Sequence, residues 1–309
     1  MRISKLSPRV LTMLLTLGAA PMGAQAAEYG FSSYGLGGVA FGAGATPPPG
    51  TYVTSVAGYY SGKIGVNVDF DNFTLAAGAK VHFFTSGVNL LYVPERKLFG
   101  GSLGLSVTVP VGHNDLNASI TSPISVSRGV DAWGLGDIVS KAQLGWQRGT
   151  FAHTAYIQAV APTGRWESGF APIIGLHRPG IDVGWAFTWV EPQTKIQANG
   201  VLGFTFNFEN TETNYKTGNE FHFEWALGIE CSPGLVLGLV GYDYRQLTDD
   251  SGSARRPFKG SVDAIGAGLS YTTLIDKTPL ILNLRHYREF NVENRWDGSM
   301  TMATGTIRF

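Results

Sequence analysis

A histidine held beside a serine can activate a nucleophile, and His153, His222 and His286 are the positions to test for it. None lies in a recognisable nucleophile motif, and His286 shares an alternating row with Leu282 and Leu284. His222 and Glu224 fall two apart, on one face of an extended chain, where they could hold a cation. No further ligand stands at a metal spacing, so a hydrogen-bonded pair is the simpler reading. Gly134, Leu135, Gly136 and Asp137 lack the strand-turn-helix context of a phosphate loop and mark the entry to a strand. Cys231 is the sole cysteine, which rules out an intrachain disulfide or a cysteine-based zinc site and leaves a small hydrophobe. No catalytic centre, metal or cofactor is expected.

The elements that carry these residues alternate with period two. From 221 to 232, Phe221, Phe223, Trp225, Leu227, Ile229 and Cys231 make one face, and His222, Glu224, Ala226, Gly228, Glu230 and Ser232 the other. The preceding segment repeats the rule: Ile196, Ala198, Gly200, Leu202, Phe204, Phe206 and Phe208 form an apolar row against a polar one. A soluble sandwich buries the apolar row against a second sheet; a membrane barrel turns it to lipid and the polar row to a wet lumen. Periodicity alone does not choose between them.

The chain ends and the connections do. Arg2, Lys5 and Arg9 precede an apolar run at 10–20 and then Ala24, Gln25 and Ala26, the pattern of a secretory signal cleaved after Ala26. Its removal takes three basic residues from a chain with 23 of each sign, leaving 20 basic against 23 acidic. Such a balance argues against a nucleic-acid partner. With 41 glycines, 12% aromatic and only 15% charged residues, and no amphipathic or spanning helix after the signal, all-β is the remaining class.

Residues 27–50 hold Pro47, Pro48 and Pro49, which cannot donate to a ladder. The segment is an N-terminal arm or a plug folded into the lumen. Residues 51–309 then yield twelve candidate strands, near 51–60, 80–93, 100–112, 134–148, 151–164, 179–191, 194–210, 219–232, 235–248, 262–275, 279–292 and 299–309. Brief turns at 94–99, 149–150, 192–193, 233–234 and 276–278 alternate with longer links at 61–79, 113–133, 165–178, 211–218, 249–261 and 293–298. Short turns at one end and long loops at the other predict an outer-membrane barrel with both termini in the periplasm. The terminal Phe309 resembles the signal taken by the barrel-assembly machinery, and Trp146, Trp185, Trp189, Trp225, Tyr242, Tyr244, Tyr271 and Tyr287 suit the membrane interfaces.

A turn at Pro233 and Gly234 sets Trp225 against Tyr242 on the lipid side, and Glu224 against Asp243 and His222 against Arg245 on the lumen side. A turn near 277 sets Tyr287 against Gly268 and Arg285 against Ser270, the lumen glycines Gly266 and Gly268 leaving room for a ring. The expected lumen-lining charges and polar groups are therefore His222, Glu224, Asp243, Arg245, Arg285 and Glu289. Loop aromatics Trp133, Trp166, Phe170 and Trp296 offer an external apolar landing site or pack on the rim.

Gly134 to Asp137, the AVAPTG run at 159–164, SSY at 32–34, PPPG at 47–50, the stretch 219–248 and YREFNVENRW at 287–296 together resemble a known family. It is the outer-membrane transporter family of the phenol-degradation meta-pathway, which includes sphingosine-responsive porin-like members, and the similarity covers nearly all the mature chain. The resemblance implies a Gram-negative outer-membrane barrel for passive uptake of small hydrophobic or aromatic compounds. It supplies no transferable site residues. The rival readings are a structural or adhesive barrel with a closed lumen, and an outer-membrane lipid hydrolase.

Overall fold

A computed structural model describes residues 27–70, 73–122, 125–167, 173–252 and 259–309. Among them, twelve strands close into one antiparallel barrel: β1 Gly50–Phe70, β2 Phe73–Val93, β3 Gly101–Ser122, β4 in two pieces (Val126–Leu135 and Ile138–Arg148), β5 Phe151–Ala161 and β6 Gly180–Val190. The circuit continues through β7 Ile196–Asn207, β8 Glu220–Ser232, β9 Leu235–Gln246, β10 Ser261–Ile275, β11 Thr278–Glu293 and β12 Asp297–Arg308. Each strand pairs with its sequence neighbours, and β12 returns to β1 from Tyr52↔Arg308 to Lys63↔Asp297. Closure satisfies the backbone groups that an open sheet would leave bare, which lipid requires.

The alternation sorts side chains as its period dictates. In β8, Glu220, His222, Glu224 and Ala226 are buried while Leu227 and Ile229 are exposed. On β7, Phe204 and Phe206 keep 41% and 44% of their surface open. Among the described residues no second sheet covers them; the one other sheet is a small ladder of Glu209–Asn210, Tyr215–Lys216 and Ser251–Gly252 at the loop end. Leu105, Val107, Val109 and Val111 on β3 and Leu237 and Leu239 on β9 are exposed likewise. Such a continuous apolar belt needs hydrocarbon against it.

The strands differ greatly in height. β1, β2 and β3 run 21, 21 and 22 residues, against 11 for β5 and β6. The stretches 61–79 and 113–133 are thus not loops as expected: the β1–β2 ladder continues to Phe70↔Phe73 and the β3–β4 ladder to Ile120↔Val126. A tilted strand crosses a bilayer in roughly 9–11 residues, so this half of the wall stands well beyond it. Between the two pieces of β4 the chain breaks at Gly136 and Asp137, where the Asp137 carboxylate accepts from the Gly164 and Leu176 amides at 2.8 and 2.7 Å.

One residue overturns the expected β8–β9 register. Ser232 faces Leu235, but Glu230 faces Val236, leaving Cys231 as the extra residue of a β-bulge. From there on every pair moves by one: Glu224 faces Tyr242, His222 faces Tyr244, and Phe221 faces Arg245. A one-residue shift exchanges the faces of a strand. Tyr242 and Tyr244 therefore lie buried inside, with Tyr287, and are not interfacial residues, whereas Asp243 and Arg245 point outward. Cys231 itself is exposed. The β10–β11 register differs by two, which preserves the faces: Tyr287 lies against Gly266 and Arg285 against Gly268.

Candidate functional site in the barrel lumen

Residues 27–49 run through the barrel from the loop end to the short-turn end, hydrogen-bonded throughout to the inner row. Near the loop end the fully buried Arg178 donates to the carbonyls of Glu28 and Phe31 (3.2 and 2.7 Å) and to Ser33 Oγ (3.2 Å). The Ser32 hydroxyl donates to Glu220 Oε2 at 2.5 Å and that of Ser33 to Asn207 Oδ1 at 2.8 Å. The Glu28 carboxylate accepts from Asn210 and from the Thr213 hydroxyl. Burial holds the Glu28 carboxyl above its ordinary value, with Thr213, Arg178 and Asn210 pulling the other way. Burial, together with the Glu28 charge, pushes the neighbouring Tyr29 hydroxyl up to about 12.

At mid-barrel Tyr34 stacks on His222, whose Nε2 lies 2.9 Å from Asp182 Oδ2; Thr205 donates to the same oxygen at 2.7 Å. The Val39 amide donates to Glu224 Oε2 (3.1 Å), and Arg285 Nη1 donates to the Gly38 carbonyl (3.1 Å). Lower down, the Gly42 and Gly44 amides reach Asn199 Oδ1 and Thr188 Oγ1 at 2.9 and 3.0 Å. Gly44 is required here, because a Cβ would run into the backbone of Phe187 and Ala152. The segment leaves at the short-turn end, where Tyr52 and Arg308 donate to the carbonyls of Pro48 and Pro49.

Most of this polar contact is with β5 to β8. On the opposite side, β1 to β3, β11 and β12 leave space. One cavity of about 210 Å³ is lined by Tyr34, Leu36, Tyr60, Phe83, Trp296 and Met300, and another of about 290 Å³ by Phe83, Pro110, Val160, Ile173, Ile174 and Leu176. Phe31 and Phe83 border both, with ring centroids 6.2 Å apart. The polar groups of this wall are mostly satisfied: Glu289 accepts from Tyr60, Tyr242 and the Gly298 amide at 2.7, 2.7 and 2.8 Å, and Arg295 lies 3.9 Å over the Tyr244 ring. What remains facing the cavities is mainly ring and methyl surface, although Arg295 Nη1 and Asn114 Oδ1 have no hydrogen-bond partner among the described residues. A wider notch of about 940 Å³ opens between the upper ends of β1 and β11, near Lys63, Lys80, Arg288 and Arg295.

Of the lumen residues expected, His222, Glu224, Arg285 and Glu289 are inside and buried. Asp243 and Arg245 are not: the bulge turns them outward, where Arg245 Nη2 pairs with Asp243 and Asp263 at 2.7 Å each. Trp133 is exposed on the outer wall, stacked on His113 at 4.5 Å. Trp166 stacks on His177 and donates to the Tyr29 hydroxyl at 2.8 Å. Trp296 is not external; only 6% exposed, it donates to the Tyr29 carbonyl at 2.9 Å. Phe170 lies outside the described residues. The expected lumen set lacks Glu220, although it stands on the row of His222 and Glu224, and lacks Asp182, Tyr156 and Lys141, which come from β6, β5 and β4, strands that contribute no expected lumen residue. Lys141 Nζ sits 4.5 Å over the Tyr156 ring.

The family model described as "Putative MetA-pathway of phenol degradation" matches residues 61–304. Among solved structures the chain is similar to the COG4313 outer membrane channel from Pseudomonas putida F1, at 14% identity and a TM-score of 0.63, over 90% of this chain and 100% of that one. The transport unit of the autotransporter AIDA-I from Escherichia coli matches at 9% identity and 0.46, over 97% of both chains. The CymD monoaromatic hydrocarbon channel matches at 10% and 0.44, over 85% and 89%. No curated protein matches the sequence. The fold is that of an outer-membrane barrel.

Proposed function

The chain belongs to the phenol-degradation MetA-pathway family, and we propose that it is an outer-membrane channel for the passive uptake of small hydrophobic or aromatic molecules. The observation that carries this reading is the pair of apolar cavities beside residues 27–49, one of about 210 Å³ lined largely by rings and one of about 290 Å³ lined by Phe31, Phe83 and aliphatic side chains. Moving apolar surface out of water gains roughly 25 cal/mol per Å², so such surface favours a ring-sized solute over a sugar. The polar wall, in contrast, is occupied by the segment itself. In this reading the segment narrows the lumen, the short turns and Phe309 face the periplasm where the assembly machinery acts, and Trp133 and Trp166 stand at the outer surface.

The segment's passage across the lumen also favours a second reading, a closed structural or adhesive barrel. Flux of a small aromatic and of a sugar of similar mass into proteoliposomes separates the two. A channel passes the aromatic faster; a closed barrel passes neither.

A further inference from the structure

Ala27 has no exposed surface, and its nitrogen donates to Asp250 Oδ2 at 3.2 Å. Asp250, itself buried, gathers three more donors: the Tyr215 hydroxyl at 2.6 Å, the Gly218 amide at 2.9 Å and Gln246 Nε2 at 2.8 Å. All four donors are neutral in the uncleaved chain. Among the described residues Asp250 makes no ion pair. The charged groups nearby are engaged elsewhere, Arg178 with two carbonyls and Ser33 and Glu28 with Asn210 and Thr213. A buried carboxylate calls for a cation. The nitrogen that points at it belongs to the residue that follows Ala24, Gln25 and Ala26.

We propose that Asp250 is the binding site for the chain's own α-ammonium, created when signal peptidase hydrolyses the bond between Ala26 and Ala27. Water supplies a hydroxyl to the Ala26 carbonyl, which leaves as a carboxylate. The Ala27 nitrogen gains protons and a positive charge at neutral pH. The amide contact seen at 3.2 Å becomes a buried charge pair, a carboxylate capture of a chain terminus. Cleavage thereby fastens one end of the lumen segment at the loop end, while Pro47, Pro48 and Pro49 tie the other to β1. This holds whichever solute the barrel passes.

The test uses mature protein purified from outer membranes. Mass spectrometry gives its first residue, and acylation with an amine-reactive ester at about pH 7, where α-amines react ahead of lysines, gives the exposure of that terminus. The expected chain begins at Ala27, and its α-amine is acylated at least about tenfold more slowly in the folded barrel than in urea, an ion-paired amine being both buried and protonated. Asp250→Asn removes most of that protection. If this variant does not fold, Tyr215→Phe, which deletes one hydrogen bond to Asp250, raises labelling a few-fold. A mature chain starting elsewhere, a wild-type amine that labels at the unfolded rate, or protection unchanged in the variant that folds overturns the proposal.

Discussion

Tyr34 lies face to face with His222, ring centroids 3.5 Å apart and planes 14° from parallel. The pair joins the lumen segment to the polar wall, and its two members carry different loads. Removing the Tyr34 ring loses about 0.5–1.5 kcal/mol of stacking and loosens the segment, while His222, Asp182 and Thr205 on the wall keep their hydrogen bonds to one another. Removing the imidazole strips Asp182 of a partner and costs about 1.5–3 kcal/mol, as for a buried hydrogen bond to a charged group. Tyr34→Ala is therefore expected to increase conductance with little change in the denaturant midpoint. His222→Ala is expected to lower that midpoint. Equal midpoints for the two variants would contradict this division.

The bulge at Cys231 separates Arg245 from Arg285 by the thickness of the wall. Arg285 reaches the Gly38 carbonyl in the lumen, whereas Arg245 binds Asp243 and Asp263 on the outer face. Arg285→Gln is expected to shift the reversal potential in a salt gradient, and Arg245→Gln to leave it where it was. A shift of the same size in both would place Arg245 back in the lumen.

Acid should tighten the segment. Burial raises the Glu28 carboxyl above its ordinary 4.5, so the docked segment binds that proton more firmly than a released one does. The stabilisation is complete below the ordinary value and fades as pH climbs through the raised one. Large-conductance excursions in planar bilayers should be rarer at about pH 5 than at about pH 7.5, within the range where a raised carboxyl titrates. Glu28→Gln should flatten the difference; a trend that survives it would assign the effect to another group.

Phe83 borders both cavities. Phe83→Trp adds ring volume to that boundary, which narrows the space and strains the neighbours by about 1–3 kcal/mol. Uptake of an aromatic solute should fall several-fold while small-ion conductance changes little. If both fall together, ions and solute share one path.

Much of this architecture is legible in the residues. The alternation at 196–209 and 221–230 assigns lipid and lumen faces correctly, because lipid and water impose opposite demands on successive side chains. What stays hidden is local. A bulge needs one extra residue, and nothing in the composition around Cys231 marks it, yet it exchanges the faces of Tyr242, Asp243, Tyr244 and Arg245. The upper part of β1 does alternate, Ile64, Val66, Val68 and Phe70 against Gly65, Asn67 and Asp69, but it lies beyond the length a bilayer needs, and the polar residues Lys63, Asp69, Asp71 and Asn72 make the whole stretch resemble a loop. Many of the lumen contacts of residues 27–49 are made by backbone groups, those of Glu28, Phe31, Gly38, Val39, Gly42 and Gly44 among them, which no side-chain pattern reveals. Trp296 looks external on a polar link, but Phe31 and the Tyr29 carbonyl draw it inward.

The measurement that bears most directly on the account is flux through the purified barrel in liposomes, comparing a small aromatic with a sugar of similar mass, for the wild type and for Tyr34→Ala. The account predicts measurable aromatic flux in the wild type, slower sugar flux, and a rise in both when the segment is loosened. Impermeability to both solutes in the wild type and the variant would contradict it.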